Sequence, residues 1–86
     1  MILEIFSVYD SKAEAYMTPF FMQSVGQALR SFIDASEDTN TQLSRHPEDF
    51  TLFHIGKWDD DTCTINMLKT PVSLGLLIAL LPAKTV

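Results

Sequence analysis

Ile2 to Tyr9 is a run of apolar residues with weak alternation, rich in Ile, Phe, Val and Tyr, and this predicts a β-strand. Ile2, Phe6 and Val8 fall on one face with Glu4, while Leu3, Ile5 and Tyr9 fall on the other. Both faces are partly apolar, the pattern of a strand covered on two sides. Asp10-Ser11-Lys12 has turn chemistry. A second extended segment, Tyr16 to Met22, carries Pro19 in its middle. Proline has no N–H to give a ladder, so this segment belongs at a sheet edge or at a bulge.

The clearest local signal follows. Val25, Ala28, Leu29, Phe32 and Ile33 recur at helical spacing and form one apolar stripe. Ser24 and Gln27 have the spacing of a capping box, and Gly26 weakens the first turn. Glu37 and Asp38 oppose the negative end of the helix dipole, which places the stop near Ser36.

Asp38 to Asp49 is a polar connection with one apolar anchor, Leu43. Phe50 to Trp58 and Thr62 to Leu68 then read as a hairpin around the acidic turn Asp59-Asp60-Asp61. Phe53 and Ile55 share a face of its first strand. Cys63, Ile65 and Met67 share a face of its second, with Thr62, Thr64 and Asn66 toward solvent. Val72 to Leu81 is almost wholly apolar, and its periodicity does not choose among helix, strand and subunit contact. The elements add up to one α+β domain over residues 1–86: a small antiparallel sheet with one main helix packed across it.

At 86 residues the chain buries only roughly 60–65% of its unfolded surface, which favours assembly. Leu74, Leu76, Leu77, Ile78, Leu80 and Leu81 are the expected contact of a homo-oligomer. The longest uncharged stretch, Thr70 to Ala83, is broken by Pro71, Gly75 and Pro82 and falls short of a membrane span. The N-terminus lacks the basic start and cleavage site of an export signal, so the chain reads as soluble.

Candidate chemistry is sparse. The single cysteine, Cys63, excludes an intrachain disulfide and a multi-cysteine zinc site, and its place in the pattern is that of a small core residue. His46, Glu48, Asp49 and His54 match no metal-ligand spacing, and the three aspartates lack the rest of a calcium loop. The three glycines are isolated, so there is no phosphate loop. No nucleophile sits beside a base, and the expectation is a protein that is not an enzyme and uses no cofactor or metal. Six basic residues against eleven acidic ones give a net charge of −5, which argues against coating duplex DNA by charge alone.

Three blocks carry a resemblance: Lys12-Ala13-Glu14-Ala15-Tyr16, Pro19-Phe20-Phe21, and His46-Pro47-Glu48-Asp49-Phe50 followed by Ile55-Gly56-Lys57-Trp58-Asp59. Together they resemble the small non-structural protein of gokushovirus-type microviruses, single-stranded DNA phages. That family is likened to packaging protein C of the other microvirus branch. The resemblance implies a non-enzymatic phage protein of the host cytoplasm, acting in single-stranded viral DNA synthesis and genome packaging. The partners it implies are single-stranded viral DNA and the viral replication protein or procapsid, with no membrane.

A chain of net charge −5 can hold single-stranded DNA if its cations segregate onto one surface or if stacking dominates. Lys12, Arg30, Arg45, Lys57 and Trp58, the basic and turn-proximal aromatic residues of the resembling region, are the expected DNA contacts. The alternative is a protein-only adaptor, which docks on the replication protein or procapsid through the acidic turn or the apolar tail.

Overall fold

The computed structural model describes residues 1–81. β1 (Ile2–Asp10) forms the middle of an antiparallel sheet. β2 (Ala15–Tyr16) and β3 (Phe20–Met22) pair with one edge of β1, as two pieces of one strand interrupted around Pro19. Proline does here what its missing donor requires: it sits at the sheet edge, in the break. Asp10 Oδ1 accepts from the amides of Lys12 and Ala13 and so closes the β1–β2 turn.

α1 (Val25–Ala35) starts where the capping pattern places it. Ser24 Oγ accepts from the Gln27 amide at 3.2 Å, while Gln27 Oε1 accepts from the Gln23 amide, one residue before the expected partner. Its stripe buries Ala28 and Phe32 against Phe6 and Val8 of β1. The polar connection contains a short turn of helix, α2 (Gln42–Arg45), and a 3₁₀ turn over Pro47–Asp49, with Leu43 packed on the core as its anchor.

β4 (Phe50–Asp59) pairs with the other edge of β1, and β5 (Thr64–Leu76) pairs with β4, giving the order β2-β1-β4-β5. A bulge at Ile55 lets Gly56 pair with Ile5 and His54 with Phe6. Gly56 lies so close to β5 that a Cβ would meet the Asn66 carbonyl oxygen at 2.8 Å. Opposite the same bulge, β5 leaves Leu68 to Pro71 unpaired.

One expectation is corrected. Cys63 is exposed rather than a core residue: it stands in the hairpin turn with φ of 55°, and β5 begins only at Thr64. The turn runs from Asp60 to Cys63, later and one residue longer than the acidic triplet, and the Asp59 carboxylate accepts from the Asp61 amide at its start. The apolar tail, whose period leaves helix, strand and subunit contact open, divides between two elements. Residues up to Leu76 extend β5, and Leu77–Leu80 form a single helical turn, α3. Leu77 is fully buried, and Leu74, Leu80 and Leu81 pack against the same core. These four complete the chain's own core, as a small domain with one long helix requires. Of the five leucines and one isoleucine expected at an oligomer contact, only Ile78 is half-exposed; Leu76 lies between.

Candidate nucleic-acid interface

The pairing fixes which side chains share a face. Phe6, Val8, Phe50, Leu52 and His54 point toward α1 and α3. The opposite face carries Leu3, Ile5, Ser7 and Tyr9 of β1, Phe53, Ile55 and Trp58 of β4, Ile65 and Met67 of β5, and Tyr16 of β2. No helix covers it.

At one end of this open face three aromatic rings from three strands meet. Tyr9 and Tyr16 are cross-strand partners with ring centroids 4.9 Å apart. Phe53 lies 5.6 Å from Tyr16 and 6.5 Å from Tyr9, edge-on to both. Such pairs each stabilise by about 0.5–1.5 kcal/mol beyond area burial. Tyr16, at the outer edge, remains 51% exposed. Beside the rings lies an apolar cleft of about 270 Å³ lined by Ser7, Tyr16, Met17, Pro19, Ile55, Met67 and Pro71. The Ser7 hydroxyl donates to the Met17 carbonyl and holds that wall against β1. Trp58, half-buried, stands farther along the same face, about 16 Å from Phe53 at strand spacing.

Charge is excluded from this face. Glu4, Asp10 and Asp59 occupy strand positions that face the helix side. Glu14, Asp60 and Asp61 lie in turns, Asp34, Glu37 and Asp38 at the end of α1, and Glu48 and Asp49 in the 3₁₀ turn. The acidic residues of this chain of net charge −5 thus lie at helix-side strand positions, in turns and at the end of α1. Lys69, in the unpaired stretch of β5, flanks the open face, whereas Lys12, in the β1–β2 turn, lines a recess on the other side with Asp10, His46, Glu48 and Asp49; among the described residues neither forms an ion pair.

The five residues expected to contact DNA are therefore not brought together. Trp58 belongs to the open face, whereas Lys12 borders a helix-side recess with Asp10, Glu48 and Asp49. Lys57 alternates to the helix side, 3.9 Å from Glu4. Arg30 and Arg45 are exposed on α1 and α2, also on the helix side. Sequence reasoning missed Tyr9 and Phe53 as neighbours, because only the long-range strand register puts them together.

Two other clusters exist among the described residues. His46, Glu48 and Asp49 lie within reach of one ion, as do Asp59, Asp60 and Asp61, but both groups are surface-exposed. The α-amino group of Met1 lies 2.6 Å from Asp60, and that hydrogen bond raises its pKa above the ordinary value. On the helix side His54 Nε2 lies 3.0 Å from Glu4 Oε1, buried and without a well-aligned hydrogen bond.

A family model described as Phage ORF5 protein matches residues 3–80. The chain belongs to that family. No curated protein and no solved structure matches it significantly. Membership makes this a phage protein, and the match spans every strand and helix described above. Among the described residues no helix is long and apolar enough to cross a membrane.

Proposed function

We propose that this phage protein is a non-enzymatic accessory factor that binds single-stranded DNA on the open face of its sheet. The observation that carries the reading is the uncharged face with the Tyr9–Tyr16–Phe53 cluster at its end. A stacked base needs an accessible π-face and is repelled by carboxylates; this surface supplies the first and lacks the second. The apolar cleft next to Tyr16 gives an unstacked base a place to insert. Duplex DNA hides its base faces, so the preference is for single strands. The role follows from that preference: holding newly made single-stranded genome in the host cytoplasm on its way to packaging, as the gokushovirus resemblance implies.

The test is fluorescence anisotropy of a labelled single-stranded oligonucleotide, with Tyr16→Ala beside the wild type. Stacking is worth about 1–3 kcal/mol per base, so the variant should bind about 5- to 150-fold more weakly. Trp58 fluorescence should also be quenched as the strand fills the face. An absent signal at high micromolar wild-type protein, or equal affinity for the variant, would overturn the reading. The same apolar face would then be the docking surface of an adaptor for the replication protein or procapsid.

A further inference from the structure

β5 is the one long edge of the described sheet. The opposite edge consists of β2 and β3, two and three residues long and broken at Pro19, which leaves little to pair with. The two halves of β5 differ. Its second half is blunted by Pro71, by Lys69 and by the unpaired stretch around them. Its first half, Thr64 to Leu68, has no proline and no charge, and Ile65 and Met67 are 53% and 61% exposed. Native sheets guard such an edge, or they use it.

We propose that Thr64–Leu68 pairs antiparallel with the same segment of a second copy, about a two-fold axis at Asn66. Symmetry favours this occupant: a strand that pairs with itself needs no other partner surface, and the contact closes at two chains. The register follows from the faces. A two-fold axis normal to the sheet keeps open face with open face, so Ile65 must meet Met67 of the second copy, and Thr64 must meet Leu68. Both cross-strand pairs are formed by neutral residues, the Ile–Met pair wholly apolar. Two chains of net charge −5 can approach here because no acidic residue lies in the paired segment.

Charge complementarity points to the same register. Continuing outward, Lys69 of each copy comes opposite Cys63 of the other, next to the turn that holds Asp61. Asp61 is the most exposed carboxylate of that turn, with a side chain 86% accessible and only a 4.0 Å approach from the Met1 amino group. Lys69 has no ion-pair partner of its own among the described residues. The register therefore places one unpaired cation beside one exposed anion, twice. The dimer also sets the two aromatic faces side by side on one continuous sheet.

Directly opposed antiparallel residues have Cα atoms about 4.5–5.5 Å apart, inside the range a disulfide spans. Asn66→Cys in a Cys63→Ser background should form a covalent dimer on mild oxidation. Lys69→Cys in the same background should not, because the two copies of that position are about 20 Å apart. Light scattering of the wild type should give the mass of two chains, and Ile65→Lys with Met67→Lys should give one chain with unchanged circular dichroism. A wild-type monomer at high micromolar concentration overturns the proposal. So does a dimer that links through Tyr16→Cys and not through Asn66→Cys, since that would place the contact on the aromatic face. The DNA reading is judged separately by Tyr16→Ala, so the two can fail independently.

Discussion

Gly56 shows how much a single residue settles in this fold. It is buried at the centre of the sheet, where β4 passes from the bulge at Ile55 back into register with β1 and β5. An added methyl group would meet the Asn66 carbonyl oxygen at 2.8 Å and the Met67 Cα at 3.2 Å, both backbone atoms with nowhere to move. Gly56→Ala should cost about 1–3 kcal/mol in a urea melt, the range for overpacking. Gly26 is the opposite case. Its Cβ would meet only the Ser24 hydroxyl, at 3.9 Å, in the exposed first turn of α1. Gly26→Ala should stabilise the protein by about 0.5–1 kcal/mol, by relieving the helix of a residue with excess unfolded-state freedom. A stabilising Gly56→Ala together with a destabilising Gly26→Ala would contradict the geometry at both sites.

At the level of elements, α1 was legible because its evidence is local: an apolar stripe, a serine cap and an acidic stop within thirteen residues or so of one another. Ser24→Ala should lower stability by about 1 kcal/mol, readable as a shift in the thermal melt. The edge position of the Pro19 segment was legible for the same reason, since a missing N–H constrains pairing wherever the strand lies. The β4–β5 turn was not. The pattern of alternation says which residues share a face but not where a turn opens, and Cys63 fell on the wrong side of that boundary. The tail was opaque because a uniformly apolar run has no period to read. Packing decides its fate: Leu77 has no exposed surface and lies under the same core as Phe6, Phe32 and Leu52. Leu77→Ala should cost about 2–5 kcal/mol by denaturant unfolding. A shift of the assembly equilibrium with the monomer's stability nearly untouched would instead make the tail an oligomer contact.

For the whole molecule the informative quantity is where charge is, which the net value of −5 conceals. The open face was illegible in the sequence because Tyr9, Tyr16 and Phe53 come from three strands, and only their register joins them. That segregation yields a quantitative expectation. For single strands, the logarithm of affinity falls with the logarithm of salt concentration by about 0.7 per phosphate neutralised. Binding through all four expected cations, Lys12, Arg30, Arg45 and Lys57, would give a slope near −2.8 by that rule. Binding on the open face engages at most its one flanking cation, Lys69, so the slope should be about −0.7 or shallower. Lys69→Gln should flatten the slope by up to about 0.7, whereas Arg30→Gln and Arg45→Gln, on the helix side, should leave it unchanged. Tyr16→Ala should behave differently from all three: it removes a stacking surface and no charge, so affinity should fall by the same factor at every salt concentration. A steep slope that Arg30→Gln reduces would move the strand to the helix side of the sheet. Parallel salt lines for wild type and Tyr16→Ala, offset in affinity, would place it on the aromatic face.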